Sequence, residues 1–223
     1  MSRLKWDQTG EKVYETGAEK GVLYPLVAGL YTKGVAWNGL TKVTESPSGA
    51  EATALYANNK KYADIMSKEE FGGTVEAYTY PEEFEVCDGS KEIAPGVYAG
   101  QQNRAPFGFA YKTLICNDVD GIAYGYKIHI VYGAMAKPSS KDRGTVNEST
   151  EALTFSWEFT TTPIDIPGGG ATAHLTFDST KTSTGKMQLL EDLLYGKDAV
   201  GEGTATEAKL PLPAEVITLM TGV

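Results

Sequence analysis

Histidine and cysteine are almost missing from this chain. Of 223 residues, only His129 and His174 are histidines and only Cys87 and Cys116 are cysteines. A nucleophile–base pair, a C-x-x-C redox pair or a closed zinc site needs more of these residues, or needs them close together. Here a zinc site would require all four to converge from distant segments, so no metal site and no cofactor are expected. Positive charge is also short, with 20 Lys+Arg against 29 Asp+Glu and a formal charge of −9. A nucleic-acid grip needs clustered cations to release counterions, and an anionic membrane surface selects for the same cations. Neither partner is expected to be held tightly. No window approaches the roughly 18 uninterrupted apolar residues of a spanning helix. The start, MSRLKWDQTGEKVYETG, has no apolar stretch after its basic residues, so it does not read as a signal peptide. Two free thiols in a reducing compartment are the expectation.

What is abundant is turn-forming sequence. The 25 Gly and 10 Pro are about 16% of the chain, above the roughly 12% of average usage. Many turns imply many strands, and the period-two alternation agrees. Leu153, Phe155, Trp157 and Phe159 share one face of a segment at 152–162. Tyr124, Tyr126, Ile128, Ile130 and Tyr132 share one face at 122–134, and Phe107, Phe109, Tyr111 and Ile115 repeat the pattern at 105–116. Further strands are predicted at 35–45, 53–65, 73–80 and 171–177. One long helix is predicted at 183–195, with Ser183 at its N-cap and Gly196 at its end, and a short helical turn from Pro81 to Gly89. Residues 1–30 and 197–223 lack periodic apolar positions and read as arms flanking a single β-sandwich or barrel-like domain at 31–196.

Few residues of this sequence are arranged for chemistry. His129 lies on the less apolar face of its strand, where a solvated or hydrogen-bonded role is expected. Asn117-Asp118-Val119-Asp120-Gly121 lacks the glycine and the bidentate glutamate of a calcium loop and reads as an Asx turn between strands. Gly168-Gly169-Gly170 has no Lys-Ser/Thr of a phosphate loop, and no G-x-S-x-G is present. Glu76 and Glu158 sit on polar strand faces, where a sandwich glycosidase would keep its two carboxylates. Acidic residues on a wet sheet face are ordinarily solvating, so catalytic residues are not expected. Asn147-Glu148-Ser149 matches a glycosylation sequon, which has no meaning without export.

Several segments occur in an order that carries a resemblance. They are Trp6-Asp7-Gln8-Thr9-Gly10, Lys20-Gly21-Val22-Leu23-Tyr24-Pro25, Trp37-Asn38-Gly39-Leu40-Thr41 and Glu45-Ser46-Pro47-Ser48-Gly49-Ala50-Glu51. After them come Glu76-Ala77-Tyr78-Thr79-Tyr80-Pro81, Gly125-Tyr126-Lys127-Ile128-His129 and Phe155-Ser156-Trp157-Glu158. In this series the chain resembles the major tail proteins of long-tailed, non-contractile bacteriophages, over about residues 6–195. The C-terminal arm matches only at Leu210-Pro211-Leu212-Pro213. The resemblance implies a β-sandwich with a flanking helix, built into six-subunit rings stacked as a hollow tube. It implies a tape-measure protein in the lumen, terminator and distal tail proteins at the ends, and DNA only in transit. It implies a place in the virion tail, after assembly in the host cytoplasm, and no catalytic residues.

Three expectations follow for particular residues. Glu76 and Glu158 are candidates for an acidic lumen wall that repels passing DNA. Lys42, Glu45, Ser46, Pro47, Ser48, Gly49, Ala50, Glu51, Lys60 and Lys61 belong to a strand-and-loop element too poor in apolar residues to bury a face within its own domain, and are candidates for ring stacking. Trp6, Tyr14, Leu23, Tyr24, Leu210, Leu212, Ile217 and Leu219 are isolated apolar anchors by which the arms would dock across subunit boundaries. The competing reading is a monomeric binding module, an adhesin or carbohydrate-binding sandwich displayed on a virion, with 13 Tyr and 3 Trp as stacking platforms.

Overall fold

A computed structural model describes residues 3–145, 152–199 and 204–222. Along the chain these form β1 (Tyr14–Pro25), β2 (Val35–Trp37), β3 (Leu40–Glu45), β4 (Ser48–Gly49), β5 (Ala52–Ala57), β6 (Lys60–Met66), β7 (Glu69–Glu70) and β8 (Gly72–Ala77). A 3-10 turn at Glu82–Phe84 leads to β9 (Lys91–Ala94), β10 (Val97–Ala99), β11 (Phe107–Asn117), β12 (Gly121–Ala136), β13 (Phe155–Thr161) and β14 (His174–Asp178). The helices α1 (Thr184–Tyr195) and α2 (Pro213–Thr221) follow.

Eight strands make one antiparallel sheet in the order β2-β1-β11-β12-β13-β8-β3, with β14 also paired to β12. The sheet curls until its last strand meets its second. Leu40 of β3 lies against Gly21 of β1, where an added Cβ would come within 3.1 Å of Leu40 Cδ2. The Tyr111 hydroxyl of β11 donates to Glu45 of β3 at 2.5 Å. The expected β-rich, barrel-like fold is therefore present, closed on one side by side chains rather than by a hydrogen-bonded ladder.

Curling gives the sheet two buried faces. Inside, Leu23, Trp37, Val75, Ala77, Phe84, Phe107, Phe109, Val131, Trp157 and Phe159 form one core. Outside, Val22, Tyr24, Ile128, Ile130, Tyr132 and Phe177 pack under Met187, Leu190 and Leu194 of α1 and Leu210 and Val216 near α2. This is why the middle of β11 and β12 is buried on both sides, although alternation predicted one wet face. The 3-10 turn after Pro81 closes the interior with Phe84, which is wholly buried.

Trp157 sits in the middle of the inner core, with ring centroids 5.2 Å from Phe84, 5.3 Å from Tyr80 and 5.6 Å from Trp37. Its indole N–H has no hydrogen-bond partner among the described residues. Trp157→Ala is expected to cost about 3–5 kcal/mol through lost burial and the cavity left behind. Trp157→Phe keeps part of the packing and removes the unpartnered donor, so it should cost clearly less than Trp157→Ala. Urea denaturation of the two variants checks the contrast.

Four sequence expectations need correction. Residues 1–30 are not one arm, because β1 occupies 14–25 as an interior strand of the sheet. Its alternation is broken by two bulges and by positive φ at Gly17 and Lys20, which put the period out of step. The segment 53–65 is not one strand but the hairpin β5–β6, turning on Asn58 and Asn59. Both have positive φ, 52° and 60°, a conformation asparagine tolerates better than most residues. Residues 197–223 are not wholly extended. After Leu210-Pro211-Leu212, Pro213 opens α2 at a position where its missing N–H costs nothing, and the Glu215 carboxylate accepts the Leu212 N–H at 3.1 Å. The described residues thus carry two helices rather than one. The Asx turn does form, with Asn117 Oδ1 accepting the N–H groups of Val119 and Asp120. The sequon at Asn147 lies outside the described residues.

Candidate functional site

The two histidines, 45 positions apart in sequence, are brought side by side. His129 on β12 is paired in register with Thr176 on β14, and His174 lies two residues before Thr176 on the same face. Glu45, the last residue of β3, reaches them where the curled sheet closes. His129 Nδ1 lies 3.4 Å from His174 Nε2 and 3.4 Å from Glu45 Oε1, and His174 Nε2 lies 3.7 Å from the same oxygen. The imidazole planes are parallel to within 3°, but their centroids are 5.6 Å apart, so nitrogens face each other rather than ring faces.

The surroundings hold this arrangement in place. His129 stacks on Tyr111 at 4.6 Å and 5°, and His174 stacks on Phe71 at 4.6 Å and 11°. Thr113 Oγ1 lies 3.0 Å from His129 Nε2, and the Tyr111 hydroxyl fixes Glu45. Burial lowers the His129 pKa to about 4, outweighing the carboxylate nearby, and burial lowers His174 as well. Burial therefore favours the neutral form of both rings over ion pairing with Glu45. The His129 side chain is 9% exposed and that of Glu45 39%, which leaves the cluster reachable from the Glu45 side. Cys87 and Cys116 are buried free thiols outside this cluster, and burial pushes Cys87 up to about 12. Nothing in the linear sequence pairs β12 with β14, so the convergence had no local signal.

The carboxylates singled out in the sequence lie elsewhere. Val75, Ala77, Trp157 and Phe159 point into the barrel, so Glu76 of β8 and Glu158 of β13 point out. With Lys42, Thr44, Thr74, Ser156 and Thr160 they make a polar strip on the outer face. Lys42 Nζ lies 3.3 Å from Glu76 Oε1, and Lys137 pairs with Glu158. Their charge is balanced locally by these lysines.

The stacking candidates fall on a projecting arm. After Glu45 the chain leaves the barrel as β4, pairs with β7 on the return, and continues outward as β5–β6. Every residue from Leu55 to Glu70 is exposed, including Tyr56 at 74%, Tyr62 at 76%, Ile65 at 57% and Met66 at 67%. Lys60 and Lys61 stand beside the Asn58-Asn59 tip. Glu45 departs from its group, since it faces the histidines.

The arm anchors divide. Trp6 and Tyr14 are exposed, at 72% and 54%. Leu23 and Tyr24 are fully buried core residues of β1, with the Tyr24 hydroxyl donating to the Leu194 carbonyl, so they do not anchor an arm. Leu210 is buried against its own sheet, its N–H donating to the Tyr31 carbonyl, while Leu212 and Leu219 are partly buried in the outer core and Ile217 is half-buried.

No family model matches the chain, and no curated protein matches it in sequence. Among solved structures it is similar to the SPP1 tail tube determined by solid-state NMR and cryo-electron microscopy. That likeness has 13% identity, covers 92% of this chain and 99% of that chain, and has a TM-score of 0.37.

Proposed function

We propose that this chain is a structural subunit that assembles with copies of itself into a tube, the tail tube of a long-tailed bacteriophage. The observation that carries the reading is the arm at 46–71. An isolated two-stranded ribbon is marginal in water, and this one exposes two tyrosines, an isoleucine and a methionine that its own barrel does not cover. A neighbouring copy would bury them. The ordered series of motifs that resembles major tail proteins supports the same conclusion from sequence.

In this reading six copies form a ring and rings stack through the arm, with Ser46–Glu51, Lys60 and Lys61 at the contact. The polar strip with Glu76 and Glu158 faces the lumen, and the exposed N-terminal segment with Trp6 reaches a neighbour. A wall of threonine, serine and paired charges offers a polyanion no counterion-releasing grip, and six chains of −9 carry −54 as a whole. The lumen would house a tape-measure protein and later pass DNA, terminator and distal proteins would close the ends, and the location would be the virion tail after assembly in the host cytoplasm. No helix among the described residues is long and apolar enough to cross a membrane. Electron microscopy of the purified protein tests the proposal. Stacked rings or tubes are expected, and dispersed monomers at every concentration and salt tried would overturn it in favour of a monomeric binding module.

A further inference from the structure

We propose that Glu45, His129 and His174 form a binding site for one divalent transition metal of the zinc type, held with tetrahedral geometry. The distances decide the geometry. Metal–ligand bonds of about 2.0–2.1 Å set tetrahedral edges at about 3.3–3.4 Å and octahedral edges at about 2.8–3.0 Å. The three ligand-atom separations are 3.4, 3.4 and 3.7 Å, so a small closure around Glu45 makes three corners of a tetrahedron. The same separations exceed the 2.7–3.2 Å of good hydrogen bonds, so any bonding of these atoms to one another is weak. Two imidazoles and one carboxylate are the donor set of a three-ligand zinc site with one open position. Thr176 Oγ1 stands 3.5 Å from His129 Nδ1 and 3.4 Å from His174 Nε2, a neutral oxygen beside the two ligand nitrogens.

The partners one step out fit the same role. A ligating histidine ordinarily donates its other N–H to an oxygen, which fixes the tautomer and the ring orientation. His129 Nε2 faces Thr113 Oγ1 at 3.0 Å; with Nε2–H donating to that hydroxyl, the lone pair lies on Nδ1, the nitrogen that faces His174 and Glu45. The Tyr111 hydroxyl holds the carboxylate, and stacking on Tyr111 and Phe71 holds both rings. A metal here ties β3 to β12 and β14 at the residue from which the projecting arm departs. The site requires nothing of the tube reading, and stands or falls separately from it.

The test uses the full-length protein with Co2+ as a spectroscopic stand-in for zinc. One equivalent is expected to bind with the intense visible bands of a tetrahedral ion and no thiolate charge-transfer band, and zinc is expected to displace it. X-ray absorption of the zinc-loaded wild type should show imidazole and oxygen scattering without sulfur. His174→Gln and Glu45→Gln should each weaken binding at least tenfold. Thr113→Val, which removes no ligand, should weaken it by about tenfold, at the low end of the effect of such supporting partners. Circular dichroism confirms that each variant is folded, and the wild-type spectra decide the question if His129→Gln is not. Failure to bind at millimolar Co2+, a six-coordinate spectrum, a thiolate band from Cys87 or Cys116, or undiminished binding by folded His174→Gln would each overturn the proposal.

Discussion

Excising the hairpin between Ala50 and Lys68 is expected to give a subunit that folds normally and does not build tubes. The two residues are already neighbours across the base of the arm, where the Ala50 N–H donates to the Lys68 carbonyl at 3.4 Å. A short Gly-rich turn can therefore join them without disturbing the Ser48–Gly49 and Glu69–Glu70 ladder or the barrel strands β3 and β8. The excised residues belong to neither buried core, so the midpoint of urea unfolding should shift by no more than about 0.5 kcal/mol equivalent, as for ordinary surface changes. What is lost is the cluster of Tyr56, Tyr62, Ile65 and Met66. Large aromatic anchors dominate protein–protein contacts, and losing about 2 kcal/mol per contact weakens each junction more than tenfold. Sedimentation and negative-stain microscopy should therefore find the variant unassembled under conditions that assemble the wild type. A variant that forms tubes of normal length would remove the arm from the assembly contact. An intermediate step, Tyr62→Ser with Ile65→Ser, should shorten the tubes while leaving the ribbon in place.

The strands that the sequence announces are those whose alternation runs unbroken. β13 shows Phe155, Trp157 and Phe159 against Ser156, Glu158 and Thr160, and its outer face stays wet, so periodicity and environment agree. α1 is equally readable, since Ser183, Gly196 and the Met187–Leu190–Leu194 stripe are all local signals. β1 fails the same test because two bulges shift its register, although it carries Leu23 and Tyr24 into two different cores. The hairpin tip failed because Asn-Asn is a weaker turn signal than Asn-Gly, so two short strands passed for one long one. The histidine cluster is of another kind. Its members come from β3, β12 and β14, and their meeting depends on the order of strands and on the curl that returns β3 to β1. Neither quantity is encoded locally. The Gly125–Lys127–His129 face is the less apolar one in sequence, yet its His129 end is buried where β3 and β14 close over it.

The C-terminal segment should already be part of the folded subunit, and ending the chain after Glu207 should destabilise it by several kcal/mol. The segment is sewn to its own domain by backbone. Gly34 N–H donates to the Ala208 carbonyl at 2.7 Å, Lys209 N–H to Leu193 at 2.8 Å and Leu210 N–H to Tyr31 at 3.1 Å. The Tyr132 hydroxyl, wholly buried, donates to the Pro211 carbonyl at 2.8 Å. Leu210 and Val216 are buried in the outer core, and burying such side chains stabilises by about 1.5–3 kcal/mol each. Truncation would also strand the Tyr132 hydroxyl, at a further cost of about 1–3 kcal/mol if water does not reach it. The fit is close enough that a single methyl tests it: a Cβ on Gly108 would come within 2.4 Å of Leu210 Cδ2, so Gly108→Ala should loosen the same segment without shortening the chain. Hydrogen exchange on the monomer reads the result directly. Amides at 209, 210 and 216 should be protected in the free wild-type subunit, and Gly108→Ala should lower that protection while sparing β13. Exchange at those amides that is fast in the monomer and slow only in the tube would show instead that the segment docks on a neighbouring copy.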